Sequence, residues 1–479
     1  MDQYDLIVIG SGPAGEKGAA AAAYFGHRVA LVEKEAHFGG AAANTGTLPS
    51  KTLRETAVIL SGLRQRQLFG LKFGLESKVN LQDFLAHERR VKDYERFRIR
   101  DNLDRHHVTV YRGSACFADE HTVAVTPARC DPVRVRGKKI LIATGSYPYR
   151  PKELFPFTNP RVYDSDTNLS LYEIPASLLV VGGGVIGCEY ACMFAALGVK
   201  VTVVEKRGGL LGGIDHEITE SLREQMTDAG IEIHLCDRVA SVRDLPDGSM
   251  EVPLESGRVV PVHAILVSSG RSGQTAGLGL EAVGIEVNER GHIKVDPRTF
   301  QTSVPHVYAA GDVIGNPALA STAMAQARMA VAHAFGLPYN KGLAEVLPAG
   351  IYTIPECSSV GETEESLKHK GIAYVAGRAR YASNARGQII GDSKGFLKLL
   401  FREEDMELLG VHVIGEQATE LIHIGQTALL AEARVDLFIH TCYNYPTLSE
   451  LYKYAAYDAL GQRGRRKVKE SEESASDST

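Results

Sequence analysis

The sequence of 479 residues has no tryptophan, only seven cysteines and no apolar run long enough to cross a membrane. The cysteines are scattered and odd in number, unlike the paired framework of a small secreted protein. The alanine run Ala19–Ala23 is far too short for a membrane span. No basic stretch followed by an apolar one opens the chain. We therefore expect no signal peptide, no contact with a membrane and a cytoplasmic location.

The net charge of −5 provides no basic surplus, so we expect no nucleic-acid partner. Cys188 and Cys192 stand four residues apart on a predicted helix. No second pair of metal ligands accompanies them, and we interpret them as small residues packed on a buried face. The sequence predicts no metal site.

What the chain does contain is a repeated strand–turn–helix–strand unit. The first copy has Leu6–Ile9 before a glycine turn, and the second has Leu178–Val181 in the same place. Glu33 follows Gly10 by 23 residues, and Glu205 follows Gly182 by the same 23 residues. The matched spacing indicates two βαβ units of related structure.

Each turn has the pattern GxGxxG, in 10–15 and again in 182–187. The first glycine permits a tight turn, the second admits a pyrophosphate, and the third allows close packing of helix on strand. The helix N-terminus then faces the phosphates with free N–H groups. A carboxylate at the end of the second strand accepts hydrogen bonds from ribose hydroxyls. The sequence therefore predicts two dinucleotide sites.

The second site carries both an acid and two bases. Glu205 suits the free 2′-hydroxyl of NAD(H), whereas Lys206 and Arg207 suit the 2′-phosphate of NADP(H). Together they favour an unselective site. The alternative is that Lys206 and Arg207 are solvated charges at a strand end.

The predicted secondary structure divides the rest of the chain into further domains. Helical patterns at 51–68 and 81–107 are followed by short strands and by a proline-rich crossing at 147–160. Strands and a helix at 420–433 then indicate an α+β domain. The fold class is α/β, with two Rossmann-like domains and a C-terminal α+β domain. The predicted bounds are 1–150 and 274–347 for the two parts of an FAD domain, 151–273 for an NAD(P) domain, 348–462 for a dimerisation domain and 463–479 for a disordered tail.

Further motifs resemble the pyridine nucleotide–disulfide oxidoreductase family, from about Tyr4 to Leu460. They are Gly39-Gly40 with Pro49-Ser50-Lys51, Ala143-Thr144-Gly145, Gly270-Arg271 and Ala310-Gly311-Asp312. The resemblance implies that Asp312 binds the flavin ribityl chain. It also implies that Lys51 lies near flavin N5 and pairs with Glu189, so that a cation stabilises negative charge on the flavin. The resemblance implies a homodimer too, and a higher oligomer is compatible with it.

The turns and the resemblance together predict a set of residues for FAD and NAD(P)(H). The cofactor-binding residues are Gly10, Gly12, Pro13, Ala14, Gly15, Glu33, Lys34, Gly40, Thr45, Lys51, Ala143, Thr144, Gly145, Gly182, Gly184, Val185, Ile186, Gly187, Glu205, Lys206, Arg207, Gly270, Arg271, Gly311 and Asp312. The catalytic residues are Lys51, Glu189 and Thr47.

The chain departs from the family where the family's dithiol stands. Two cysteines separated by four residues are usual there, and this sequence has Ala42 and Thr47. Neither side chain forms a thiolate, so dithiol exchange is excluded at these positions. The family's His-Pro near the C-terminus is replaced by Tyr445-Pro446, and an unperturbed tyrosine titrates too high to act as the thiol base.

One branch of the family, the soluble Si-specific NAD(P)+ transhydrogenases, is compatible with both losses. Runs such as 163–166, 350–356 and 444–447 are similar to that branch, and Thr47 agrees with it whereas Ala42 departs from it. The resemblance implies ping-pong hydride transfer between NADPH and NAD+ through FAD, with Thr47 beside the flavin. Two alternatives stay open. One is an NAD(P)H oxidase or diaphorase, and the other is a non-catalytic, nucleotide-binding redox sensor.

Overall fold

The computed structural model describes residues 1–65, 81–338 and 346–476. These residues form two compact units. The first unit contains residues 1–53, 81–174 and 266–338, and the second contains 54–65, 175–265 and 346–476. No helix in the described ranges combines the length and the apolar character that crossing a membrane requires.

The helices and strands are numbered in chain order. Up to residue 174 they are β1 Asp2–Ile9, α1 Pro13–Tyr24, β2 Val29–Glu33, α2 Gly40–Asn44, α3 Thr47–Gln65, α4 Leu81–Arg105, β3 Thr109–Arg112, β4 Ser114–Asp119, β5 Thr122–Thr126, β6 Val133–Ile142, β7 Ser146–Pro148 and β8 Val162–Asp164. From 175 to 338 they are β9 Ser177–Val181, α5 Val185–Ala196, β10 Lys200–Glu205, α6 His216–Asp228, β11 Glu232–Leu235, β12 Arg243–Asp244, β13 Met250–Pro253, β14 Val259–Val262, β15 Ala264–Val267, β16 Arg271–Gly273, β17 Val307–Ala309 and α7 Ala320–Phe335. After residue 345 they are β18 Ala349–Ile351, β19 Cys357–Gly361, α8 Glu364–Lys370, β20 Tyr374–Arg380, α9 Ala385–Ile390, β21 Phe396–Arg402, β22 Leu408–Ile414, α10 Ala418–Leu430, α11 Val435–His440 and α12 Leu451–Ser476.

The sheet of the first unit has the order β3-β2-β1-β6-β5-β4, and β17 pairs with β6. Strands β2, β1, β6 and β17 are parallel, with Ile9 opposite both Val32 and Ile142. Their carboxyl ends therefore meet at one edge of the sheet, which is where ligands bind in open α/β sheets. The predicted motifs after β1, β2, β6 and β17 all begin at this edge.

The alanine-rich helix α1 packs closely between this sheet and α7. Ala19 and Ala22 are fully buried. A β-carbon added at Gly18 would lie 2.5 Å from Leu141 Cδ2, so the helix approaches the sheet more closely than a larger residue permits. The short apolar run of the sequence is therefore a packing surface of the core.

The second unit holds a parallel sheet and an antiparallel one. Strands β11, β10 and β9 are parallel neighbours in the first. The second has the order β18-β19-β22-β21-β20. Helices α10 and α12 pack on the antiparallel sheet, where Tyr452, Ala455 and Ala459 of α12 are fully buried. The expected α+β texture after residue 348 is therefore present, with α10 in place of the helix expected at 420–433.

The structure corrects the expectation of a disordered tail. Helix α12 continues through Ser476, and of the tail only 477–479 lie outside the described residues. Its first three turns are anchored by burial, and the charged residues that follow are good helix formers. Arg463 donates to the Glu404 carbonyl at 2.6 Å, and Arg466 donates to the Tyr374 carbonyl at 2.9 Å. The high charge of the tail led to a prediction of disorder. That prediction was wrong because these tertiary partners cannot be seen in the sequence.

Candidate functional site

The first glycine turn brings three chain segments into close approach. Gly10 has a φ of 101°, and a β-carbon there would lie 2.4 Å from the Ala143 carbonyl oxygen. A β-carbon at Gly40 would lie 2.9 Å from Gly12 Cα. Gly12 is the N-cap of α1 and therefore leaves this helix end without a capping side chain. The turn consequently exposes a helix N-terminus, which attracts phosphate.

Glu33 braces this turn from the neighbouring strand. Glu33 as a whole is 5% exposed, and its carboxylate accepts hydrogen bonds from Ser11 N at 2.9 Å and from Glu35 N at 2.8 Å. The Ser11 hydroxyl also donates to Glu33, and it accepts from Gly39 N at 3.2 Å. Sequence reasoning missed Ser11, because any residue type fits the second position of the GxGxxG pattern.

Asp312 lies at the same sheet edge and is held by a serine. Ser146 Oγ donates to Asp312 Oδ2 at 2.9 Å, and Arg271 Nε donates to Ser146 Oγ at 2.8 Å. The preceding Gly311 N–H donates to Gln326 Oε1 at 2.9 Å. The sequence predicted Asp312 and Arg271, but neither Ser146 nor Gln326 carried a signal.

Thr144 provides a direct test of whether a ligand fits here. Its hydroxyl oxygen is buried and has no hydrogen-bond partner among the described residues. Buried hydroxyls are nearly always satisfied, so this atom indicates a partner of another kind. With the open end of α1 and the close approach of Gly12 to Gly40, the residues fit the pyrophosphate and polyol chain of FAD.

The second glycine turn repeats the geometry of the first. Gly183 N donates to Glu205 Oε2 at 2.6 Å, and Arg207 N donates to Glu205 Oε1 at 2.9 Å. These bonds correspond to those that Ser11 and Glu35 make with Glu33. The repeat seen in the sequence is therefore a repeat of hydrogen bonds as well.

The Arg207 side chain occupies both oxygens of Glu205. Its Nε and Nη2 donate to Glu205 Oε1 and Oε2 at 2.9 and 3.2 Å. Burial acts to raise the pKa of Glu205, but the hydrogen bonds from Arg207 and Gly183 lower it overall. Half of the Arg207 side chain is exposed, and Lys206 is exposed as well. The acid and the bases that suggested an unselective site are thus adjacent, and Arg207 has room to turn toward solvent.

Four further predicted residues lie at the ends of helices and strands. Val185 is 43% exposed at the first turn of α5, and Lys34 is exposed after β2. Thr45 follows α2, and its backbone N–H donates to the Ala41 carbonyl at 3.0 Å. Gly145 separates Thr144 from β7. Their roles in cofactor binding stay predictions.

The predicted catalytic residues lie on two helices. Thr47 is the first residue of α3 and is exposed, and Lys51 follows one turn later. Glu189 is buried on α5, where its carboxylate accepts from Tyr352 N at 2.9 Å. Lys51 and Glu189 belong to different units. Their pairing and their catalytic roles stay predictions.

The two cysteines of α5 do not replace the missing dithiol. All seven are free thiols. Cys188 and Cys192 are buried on α5, as expected for packing residues, and burial raises the pKa of Cys192 to about 12. These thiols therefore stay protonated near neutral pH and are poor nucleophiles. The described residues also contain no group of three or more side chains placed to hold a metal ion.

Comparisons with known proteins agree with this geometry. Residues 4–327 match the family model described as pyridine nucleotide-disulphide oxidoreductase, and residues 347–456 match its dimerisation domain. The chain is 47% identical over 463 residues to a soluble pyridine nucleotide transhydrogenase of Mycobacterium bovis, covering 96% of this chain and 98% of the relative. A relative of the same name from Pseudomonas entomophila is 41% identical over 465 residues, with the same coverage of both chains.

Solved structures give the same result for the fold. LpdA from Mycobacterium tuberculosis is 28% identical, has a TM-score of 0.87 and covers 95% of this chain and 99% of its own. The flavoprotein disulfide reductase RclA from Escherichia coli, also 28% identical, has a TM-score of 0.86 with the same coverage. The expected fold class is thereby confirmed.

Proposed function

Because the chain belongs to the pyridine nucleotide-disulphide oxidoreductase family, we propose that it transfers hydride between NADPH and NAD+, or between NADH and NADP+. The proposal includes FAD as the bound cofactor and a single, unselective nicotinamide site. The overall reaction is balanced, since NADPH and NAD+ become NADP+ and NADH with no net proton. The relatives named transhydrogenase, at 41 and 47% identity over 96% of the chain, support it.

One observation carries the proposal. Ala42 and Thr47 stand where the family's dithiol would stand, in a chain that keeps both glycine turns and Asp312. Electrons that reach the flavin therefore have no thiol relay toward a disulfide substrate. Their simplest exit is a second nicotinamide nucleotide at the site through which they entered.

The residues of this chain would bind and orient the reactants. When bound, FAD supplies a group that accepts hydride from one nicotinamide nucleotide and returns it to another. The open end of α1 would hold a pyrophosphate, and the oxygens of Asp312 would accept hydrogen bonds from hydroxyl groups. Lys51 would place a positive charge near the site of hydride transfer, and Glu189 would orient that lysine. The Thr47 hydroxyl would donate a hydrogen bond to the flavin ring.

A steady-state assay with NADPH and a thio-NAD+ analogue tests the proposal. The purified protein should form the reduced thio analogue, followed by its shifted absorbance, with ping-pong kinetics in which the two substrates give parallel reciprocal plots. Under anaerobic stopped-flow conditions, pre-reduced enzyme should be reoxidised much faster by NAD+ or NADP+ than by oxygen. Faster reoxidation by oxygen or a quinone would instead indicate an oxidase or diaphorase. A protein that binds no flavin at all would indicate a sensor.

Replacing Arg207 with leucine should impair NADPH use selectively. We expect the KM for NADPH to rise about tenfold or more, because a charge-assisted contact to the 2′-phosphate is lost. The KM for NADH should change less than about threefold, since Glu205 keeps two backbone donors. Lys206→Leu, which removes the neighbouring basic side chain, is compared in parallel. Initial rates with each nucleotide provide the measurement. Equal losses for both nucleotides would refute a specific role of Arg207.

We also propose that the protein is a cytoplasmic homodimer. The match of residues 347–456 to a dimerisation domain supports the dimer, and the word soluble in the names of the relatives supports the location. Sedimentation at several concentrations would separate a dimer from a monomer or a larger assembly.

A further inference from the structure

Arg271 donates four hydrogen bonds to other residues of the protein. Nε donates to Ser146 Oγ at 2.8 Å, and Nη2 donates to the Ser146 carbonyl at 2.8 Å. Nη1 donates to Ser165 Oγ at 3.1 Å and to Asp166 Oδ1 at 3.0 Å. The side chain is only 18% exposed. Four donors of a planar guanidinium are thus committed to one serine and one short segment.

The direction of the hydrogen bonds through Ser146 follows from the chemistry of its neighbours. A guanidinium only donates, so the Ser146 oxygen accepts from Arg271. The single hydroxyl proton of Ser146 is then available to Asp312, and it points at Oδ2 over 2.9 Å. The chain therefore runs from arginine through serine to one oxygen of the carboxylate. This arrangement orients the carboxylate and uses Oδ2 for the bond to Ser146.

The segment that receives Arg271 is held by hydrogen bonds of its own. Asp164 is fully buried and accepts from Asp166 N and Thr167 N at 2.9 Å each. Arg150 pairs with the other oxygen of Asp164. This is the run 163–166 that the sequence singled out without assigning it a function. Its polar residues form a socket for the guanidinium of Arg271.

We propose that Arg271 and Ser146 are positioning residues for FAD, acting through Asp312, and that Arg271 does not itself contact a nucleotide. The inference rests on the proposed use of FAD. Arg271 holds Ser146 so that its hydroxyl points at Asp312. Asp312 is thereby oriented with Oδ1 ready to accept a hydrogen bond from a ribityl hydroxyl. The run 163–166 serves to place Arg271.

A double-mutant cycle on FAD affinity tests this inference. The variants are Arg271→Met, Ser146→Ala and the combination of both, reconstituted from apoprotein and titrated with FAD by the quenching of flavin fluorescence. Each single substitution should raise the Kd for FAD about tenfold, as expected when one charge-assisted hydrogen bond is lost. The combination should also raise it only about tenfold, because both changes break the same chain. Arg290→Met is the matched control and should change the Kd less than about threefold, since Arg290 is exposed and lies over the Tyr149 ring rather than at Ser146 or the socket.

Other outcomes would overturn the inference. A combined effect of about a hundredfold would mean that Arg271 and Ser146 act independently. A normal Kd for Ser146→Ala beside a weakened Arg271→Met would mean that Arg271 contacts the cofactor directly. An equal effect of Arg290→Met would mean that loss of any nearby arginine weakens FAD binding, whether or not it donates to Ser146. Because FAD affinity is measured without turnover, a wild-type protein that binds FAD but lacks transhydrogenase activity would contradict the proposed function alone.

Discussion

Replacing Lys398 with methionine is expected to destabilise the second unit by about 3–5 kcal/mol, the usual loss when one partner of a buried ion pair is removed. Lys398 lies in β21 with its side chain 1% exposed. Its ammonium donates to Asp215 at 2.5 Å, to Glu364 at 2.9 Å and to Glu217 at 3.1 Å. Methionine would leave the fully buried Asp215 carboxylate without this cation. The shift of the urea midpoint, followed by far-ultraviolet circular dichroism, is the measurement.

Lys394→Met is the matched control for this substitution. Lys394 pairs with Asp228, but the two side chains are 54% and 61% exposed. Exposed pairs contribute little, so the loss should stay below about 1 kcal/mol. Equal shifts in the two variants would show that the buried cluster contributes no more than a surface pair.

Lowering the pH should reduce the difference in urea midpoint between the wild type and Lys398→Met. Burial acts to raise the pKa of both Asp215 and Glu217, but the pKa of each is lowered overall. For Asp215 the causes are the charges of His412 and Lys398 and the hydrogen bond from Lys398. For Glu217 they are the hydrogen bonds from Arg378 and Lys398 and the charges of both. Groups with a lowered folded pKa stabilise the fold above their ordinary values of 3.8 and 4.5, and this contribution is lost as the pH falls further. The difference in midpoint should therefore shrink below about pH 4.

Replacing Gly12 with alanine is expected to reduce FAD affinity by about tenfold to a hundredfold while leaving the apoprotein fold intact. The new β-carbon would lie 3.8 Å from Gly40 Cα, which is an ordinary contact. Gly12 has a φ of −64°, so alanine adopts the same backbone. The methyl group would instead occupy the space that a pyrophosphate needs at the N-terminus of α1. Equilibrium dialysis of FAD against the apoprotein provides the measurement.

Gly184→Ala is the reciprocal control at the second turn. A β-carbon there meets no protein atom within 4 Å. We expect weaker NADH binding in calorimetry and unchanged FAD affinity, the opposite pattern to Gly12→Ala. If both variants lowered the affinity for the same ligand, the assignment of one turn to each nucleotide would be wrong.

Local patterns in the sequence were enough to predict the two nucleotide-binding units. The glycines and the acid of each lie within 24 residues, and the structure adds that Glu33 and Glu205 brace the turns through backbone N–H groups. These units can be predicted without tertiary information, because the turn, the helix and the strand are consecutive in the chain.

The interactions that the sequence did not reveal connect distant residues. Ser146, Arg271 and Asp312 are separated by 125 and 41 positions, and no periodicity relates them. Lys398 lies within the apolar strand run 396–401, and its burial depends on acids far away in the chain. A pattern-based argument assigns such a lysine to the surface, since lysine is almost never buried unless it is paired.

The loop between β10 and α6 is held at both ends, by Glu205 against Gly183 and by Asp215 against Lys398. Its exposed residues include Lys206 and Arg207, while Leu210 and Leu211 are buried. The exposed start of the loop, 206–208, can therefore vary in side chain while the two ends stay in place. Libraries randomised at 206–208 should therefore change the preference between NADH and NADPH, which is useful for coenzyme recycling, while Glu205 and Asp215 are kept.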